Sequence, residues 1–597
     1  LLVSIDFEYN KSNERHPNLV SCAIGSSESD KEVFWLHKNK PEQQRLIEKI
    51  NSYPKDAVFL SFAVTAEARS FLALNIKPLE YKWFDLYLEY RCLLNHNHKL
   101  AYGRQLIKGK VKFTKPPKNK YHLTQEESEE EDGSKPEYSL AAACFKLLDK
   151  KIDTERKNKI RDLIISAPAE FTEEEKQEIL EYNLSDIDLL PELYQAQIKE
   201  YKGLLAKHPH LLQKLEDDMF LRSMYACRTA IMESTGYPIE YESVKSFSSQ
   251  VPSILFSCQK EISELFPDNP PFRREGYKYV MDTKAIRKWI DTLPQASKWM
   301  KTDGGKKGIK QHSLKKEAFN KYFNPRHSFR KDSYGEQIVR FLTLKQNLNG
   351  FLPGNKKNNF WDYVGSDHRV RPYFGIYGAQ SSRSQPKATG FLFLKSSWMR
   401  SLCVPPIGKA IAGIDYKSQE FLIAALVSGD EVMLEAYKSG DPYFYLAKLS
   451  GKVPWDGKRK DYELERSIFK TVTLGIQYGL GAASLAMKLT EDLGKKFTKE
   501  EAEKLIQIFN LKYRKYYNWK MKFLLHYRRN KVLRLPCGWI MWGDNQNDRS
   551  VGNCPIQGMG ASIMRRAVAN AQDRGLSVIK TLHDALYIEY DSFDFKA

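Results

Sequence analysis

Ile411-Ala412-Gly413-Ile414-Asp415-Tyr416-Lys417-Ser418-Gln419-Glu420 runs into the apolar residues 421–427 and then Ser428-Gly429-Asp430. Residues 411–414 read as a short strand and residues 420–427 as the helix that follows. Asp415 then stands at the end of an apolar strand, where a metal-bound phosphate can approach the backbone. Glu420 opens the helix, a position that the helix dipole also favours for an acid. A second carboxylate of this kind stands in His583-Asp584-Ala585. That polar pair occupies a sharp turn between two strands read at 578–582 and 586–590.

Between these stretches, Arg466, Lys470, Leu474 and Tyr478 recur every four residues, with Gly475 and Gly479 beside the last two. On a helix predicted from about 462 to 474 they make one slowly drifting stripe. Its two cations suit a triphosphate, although a solvated basic face reads the same way. Arg549, Asn553 and Gln557 repeat the four-residue spacing, with Pro555 and Gly558 among them, in and before a helix read at 556–571.

The other end of the chain carries Asp6-Phe7-Glu8 on a predicted strand. Residues two apart on a strand share a face, so both carboxylates project together. Two bare acids so close raise each other's pKa, and a hard divalent cation, Mg²⁺ or Mn²⁺, removes that cost. Tyr182 and Asp186 lie four apart in a helix that Thr172 and Glu175 open with a capping box and that is expected to run to about residue 200. Glu67 supplies a further acid near the start of another predicted helix, and Asp85 is its rival.

Length and composition bound the rest. The chain has 597 residues, room for several domains, and 42% hydrophobic residues, enough for large cores. Its net charge of +20 favours a polyanion, nucleic acid before an anionic membrane, with ordinary solubility charge as the bland reading. No run reaches the length of a membrane span, and no signal peptide is read at the start. The chain opens on Leu, so a start further upstream is left open. Eight scattered cysteines, without a CxxC or zinc spacing, fit a reducing compartment. Residues 104–120 hold seven basic residues and no acid, and six acids follow within residues 126–132, which reads as an exposed loop. Residues 298–331 hold eleven basic residues, Lys306, Lys307 and Lys310 among them, against two acidic ones. They read as a solvated linker or as a flexible tip on a phosphate backbone.

Taken in order, the motifs resemble those of family A DNA polymerases. Residues 411–430 resemble motif A, with Lys417-Ser418-Gln419 departing from the commoner Ser-Gln-Ile. Residues 466–479 resemble motif B, with Leu474 where the family usually has Phe or Tyr. His583-Asp584-Ala585 resembles motif C, with Ala585 in place of Glu. Arg549-x₃-Asn553-x-Pro555-x-Gln557-Gly558, Ser382-Arg383-Ser384 and residues 232–240 resemble lesser elements of the family. Asp6, Glu8, Glu67, Tyr182 and Asp186 resemble the set of its 3′–5′ proofreading exonuclease domain.

The resemblance implies an α/β and α+β multidomain chain. A ribonuclease-H-like exonuclease would occupy residues 1–205 and a thumb with a basic tip residues 206–370. The palm would be built from residues 371–430 and 550–597, with fingers at 431–549. The chain ends 13 residues after Asp584, so the palm's last helices are expected to be missing. Asp415 and Asp584 would hold two Mg²⁺ or Mn²⁺ ions, and Asp6, Glu8 and Asp186 a second pair. Lys470 would act as catalytic acid. Arg466, Lys470, Leu474, Tyr478 and Glu420 would bind the nucleotide, Glu420 rejecting a 2′-hydroxyl. Arg383, Arg549, Asn553, Gln557 and His583 would contact DNA. The implied partners are primer-template DNA, dNTPs and replication accessory proteins. The implied setting is a monomer in the cytoplasm of a bacterium or phage-infected cell, serving viral or phage-like DNA replication. A non-catalytic DNA-binding protein and a nuclease-only enzyme are the rival readings.

Overall fold

The computed structural model describes residues 1–10, 13–26, 31–107, 110–114, 137–166, 170–302, 310–320, 322–323, 333–352, 359–386, 397–543 and 547–592. Lys306 and Lys307 of the expected basic tip, most of the basic and acidic runs at 104–132, and the last five residues lie outside them.

The N-terminal unit is built on five strands: β1 (Leu2–Asn10), β2 (Asn18–Ser26), β3 (Glu32–Trp35), β4 (Val58–Ser61) and β5 (Lys82–Asp85), in the order β3-β2-β1-β4-β5. β1 runs antiparallel to β2 and parallel to β4. Its alternation buries Val3, Ile5 and Phe7 and leaves Asp6 and Glu8 on the opposite face. Helices α1 (Lys40–Ser52), α2 (Val64–Ala73) and α3 (Leu86–Leu94) connect or follow these strands, and α4 (Thr154–Ser166) lies against β1.

The long helix expected after Thr172 is two helices, α5 (Glu173–Asp188) and α6 (Leu190–Leu204). The capping box forms as read. Pro191, which has no N–H to donate, sits in the first turn of α6, where that lack is tolerated, and the chain breaks just before it.

Helix α7 (Leu215–Thr235) joins the two halves. It packs on α2 and β5 of the first unit and on the strand Ser577–Leu582 near the C-terminus. Arg222 of α7 makes a bidentate pair with Glu89 of α3, Nε to Oε1 at 2.7 Å and Nη2 to Oε2 at 2.6 Å, with both side chains fully buried. The Tyr201 hydroxyl donates to the same carboxylate at 3.0 Å. Accordingly, one hydrophobic core runs without interruption from Val3 and Phe59 through Met219 to Trp539, Val568 and Ile588.

The C-terminal half holds a three-stranded antiparallel sheet of β6 (Lys409–Asp415), β7 (Ser577–Leu582) and β8 (Ala585–Asp591), ordered β6-β8-β7. The same half holds α8 (Gln419–Ser428), α9 (Glu463–Gln477), α10 (Ala482–Leu493), α11 (Arg514–Asn530) and α12 (Asp548–Asp573); α12 packs on the sheet, and a second core gathers α8 to α11. The helix read at 556–571 starts earlier, at Asp548, and carries Pro555 inside it. All eight cysteines are free, and among the described residues no helix is long and apolar enough to cross a membrane.

Candidate active sites

Strand pairing assembles the C-terminal site. In the β6–β8 register Asp415 faces Ala585, so it lies beside the His583-Asp584 turn. The Tyr416 N–H donates to the Asp584 carbonyl at 3.1 Å and locks the two segments together. His583 holds the turn with φ of +54°. Partial burial raises the Asp415 pKa, the nearby Asp584 carboxylate adds to the rise, and His583 opposes it. A carboxylate with a raised proton affinity beside a second carboxylate suits a divalent cation. Ala585 is buried between the strands.

Glu420, in the first turn of α8, accepts from Arg383 Nη2 at 2.6 Å and from the Tyr478 hydroxyl at 3.0 Å. Arg383 is positioned from behind. Arg565 of α12 donates to the Ser382 carbonyl at 2.9 Å and to Ser382 Oγ at 3.0 Å, with its guanidinium 4.5 Å from the Tyr377 ring. Motif matching passed over Arg565, because no local pattern marks a buried arginine.

On α9 and its C-cap, Lys470, Leu474 and Tyr478 line a cavity of about 620 Å³ against α10. Arg466 does not reach it and pairs instead with Asp441, Nε to Oδ2 at 2.5 Å. The cause is helical pitch: each four-residue step advances about 40° at 3.6 residues per turn, so Arg466 and Tyr478 end roughly 120° apart. Arg549 packs on Gly479, whose φ is +76° and where a Cβ would come within 2.9 Å of the Arg549 side chain. Gln557 accepts from Ser381 Oγ at 3.1 Å. Asn553 is buried with both polar atoms of its side chain unbonded. His583 and Arg383 share the lining of a further cavity of about 340 Å³. Lys310 is exposed, remote in sequence from all of these.

The N-terminal site gathers Asp6, Glu8 and Asp186, one oxygen of each lying within 4.8 Å of the others. Among the described residues they are the one group of three or more acidic, His or Cys side chains so placed. Burial, then the neighbouring acids, pushes Asp6 up to about 7 and Glu8 well above its ordinary value. Tyr182 donates to Asp186 Oδ2 at 2.5 Å. Asn183 donates to Asp6 Oδ2 at 2.8 Å and accepts from Ser21 Oγ at 3.0 Å, fixing that carboxylate.

Lys157 of α4 completes the cluster, with Nζ 2.8 Å from Asp186 Oδ2. Burial opposes its charge, but Asp186 and the two strand acids hold its pKa above the ordinary value. Neither Asn183 nor Lys157 belongs to a recognisable spacing. Glu67 is buried beside Asp6 and Glu8, and its Oε2 accepts the Phe7 N–H at 3.0 Å. Asp85 is instead the N-cap of α3, accepting from Tyr87, Leu88 and Val64 N–H groups. The repelling acids, gathered on an open cleft, fit a divalent cation as well.

Residues 394–596 match the family described as DNA polymerase family A. It is 28% identical over 234 residues to DNA polymerase I of Aquifex aeolicus, a stretch that covers 37% of this chain and 39% of the relative. It is 27% identical over 221 residues to the DNA polymerase of Mycobacterium phage D29, covering 36% and 35%. The chain thus matches less than half the length of these relatives. Nearly all of it, 99%, superposes on 89% of the polymerase domain of Pol1 from M. smegmatis, solved in complex with DNA primer-template and dNTP. The TM-score is 0.67 and the identity 15%, so this likeness is one of fold, a mixed α/β and helix-rich one.

Proposed function

We propose that the chain is a DNA-directed DNA polymerase that extends a primer 3′ end with dNTPs and carries a 3′–5′ proofreading exonuclease in residues 1–205. The observation that carries the reading is Asp415 set beside the Asp584 turn, inside the segment that matches the polymerase family. A right hand would follow in residues 206–597, with the thumb, palm and fingers bounded as expected from the motifs.

Asp415 and Asp584 would hold the divalent ions of the polymerase site, and Asp6, Glu8 and Asp186 those of the exonuclease site. Bound there, Mg²⁺ or Mn²⁺ ions lower the cost of charge on attacking and leaving oxygens. The chain's own residues do the rest. Lys470 meets the triphosphate and gives the leaving pyrophosphate its proton. Arg466, held at Asp441, adds positive charge from the next face of α9. Leu474 and Tyr478 flank the base, and Glu420 fills the space beside C2′ of the sugar. Arg383, His583, Arg549, Gln557 and Asn553 line the primer-template, where a buried amide without partners suits the minor-groove acceptors common to all base pairs. In the first half, Tyr182 and Lys157 orient Asp186, and Glu67 supports β1 from beneath. The cytoplasm of a bacterial or phage-infected cell is the setting that fits relatives from both sources.

Primer extension and 3′-end degradation, each assayed with Mg²⁺, test the reading together. Extension with trimming supports it. Trimming alone favours a nuclease, and duplex binding with neither favours a non-catalytic DNA-binding protein.

A further inference from the structure

A cavity of about 500 Å³ opens in front of the Asp6–Glu8 face, and its walls come from both halves of the chain. Arg69 and Arg161 line it from the first half, and Tyr363 and Tyr373 from the segment beyond residue 359. That second wall is fixed in place. The Ser366 N–H and hydroxyl both donate to the Glu14 carboxylate, at 2.9 and 2.8 Å. Arg371 Nη1 donates to the Asn13 carbonyl at 3.1 Å, and Asn13 Nδ2 donates to the Val364 carbonyl. The loop between β1 and β2 is therefore clamped to the very segment that carries the two tyrosines.

The chemistry of this cavity is uneven in an informative way. At its base lie the carboxylates. Tyr373 is 41% exposed. Arg69 has a buried Nε without a hydrogen-bond partner, a donor that a phosphate oxygen would satisfy. Aromatic faces beside cationic donors bind unpaired nucleotides, because every base has a face to stack while a paired base does not offer it.

We infer that Tyr363 and Tyr373 are a stacking platform, supplied by the polymerase half, for the unpaired 3′-terminal bases of a DNA strand delivered to the Asp6–Glu8–Asp186 cluster. The inference rests on the exonuclease reading of that cluster. It makes selection for frayed ends a property of both halves, since neither alone walls the cavity. Arg69 and Arg161 hold the backbone of the same strand.

The test uses the full chain and a short single-stranded oligonucleotide with 2-aminopurine at its 3′ end. Binding is read by fluorescence in EDTA and trimming in Mg²⁺. The Tyr363→Ala/Tyr373→Ala chain should bind and trim this strand roughly tenfold or more weakly. The Tyr363→Phe/Tyr373→Phe chain, which keeps both rings, should match the parent, and all should extend a fully paired primer equally. Should the alanine chain also lose extension, Tyr373→Ser, at the exposed ring alone, decides on the same two readouts. Unchanged binding and trimming in the alanine or serine chain overturns the platform while leaving the exonuclease. A parent chain that trims nothing overturns the exonuclease reading and the platform with it.

Discussion

The Tyr478 hydroxyl donates to Glu420 Oε1 at 3.0 Å, although 58 residues separate them and they belong to different helices. Arg383 grips the same oxygen from the other side. The carboxylate is held at one spot beside the proposed sugar position, so the proposed exclusion of a 2′-hydroxyl would depend on its being unable to swing aside. Glu420→Ala should therefore raise the rNTP/dNTP ratio of kcat/KM strongly. Tyr478→Phe, which loses one hydrogen bond to a charged group worth about 1.5–3 kcal/mol, should raise it less. An unchanged ratio in the alanine variant would argue against a steric role for Glu420.

Asp415→Asn and Asp584→Asn should each abolish dNTP incorporation while duplex affinity stays within a few-fold of the parent. Each removes a negative ligand from the paired carboxylates and leaves the volume unchanged. Primer extension in Mg²⁺ and a binding titration measure the two quantities. Near-normal extension by both would sink the assignment.

Asp6→Ala with Glu8→Ala should stop 3′ trimming and spare extension, because the two acids stand on β1, in a different sheet from β6 and β8. Persistent trimming by the purified double variant would place the nuclease elsewhere.

Lys157 neutralises part of the charge that a divalent cation would otherwise meet in the N-terminal cluster. Removing that ammonium with Lys157→Met should tighten Mn²⁺ binding there by roughly tenfold, as loss of a nearby like charge predicts. Calorimetric titration would show it, with the Asp6→Ala chain as the control that lacks the site. Equal affinity in parent and variant would mean that the lysine does not compete with the metal.

Lys520 of α11 donates to the last carbonyls of α9, Ile476 at 3.0 Å and Gln477 at 3.3 Å, and burial lowers its pKa to about 8. The folded chain gives up this proton before the unfolded chain does. Between about pH 8 and pH 10.5 the unfolded state binds more protons, so the group adds stability as pH rises through that window. Below about pH 8 both states hold the proton and the burial cost stands in full. Against a Lys520→Met chain, the parent should gain by about 3 kcal/mol at most across this window. Urea midpoints at both ends measure the gain, and a constant difference would refute it.

Much of both candidate sites was legible because their acids sit on a strand, in a helix or beside a turn, where local spacing fixes the face. Asp6 with Glu8, and Tyr182 with Asp186, are close for that local reason. The partners Asn183, Lys157, Asp441 and Arg565 were not legible, because each reaches its target through a long-range fold contact with no spacing of its own. The stripe on α9 misled in one respect: a four-residue repeat is not the helical period, and Arg466 had drifted off the face. The undivided helix after Thr172 missed Pro191, whose effect can be read from sequence, since a ring without an N–H ends one helix and starts another.

Arg222 and Glu89 bury their charges against each other, with the Tyr201 hydroxyl donating to the same carboxylate. An engineer who lifts residues 1–205 into another enzyme as a portable cassette would carry Glu89 along as an anion in the interior and leave its guanidinium, Arg222, behind. Breaking a buried pair in this way costs about 3–5 kcal/mol, a large share of a typical domain's stability. The smallest transplantable unit therefore reaches through Thr235, and exchange of this first unit between such chains should keep the acid and the arginine together.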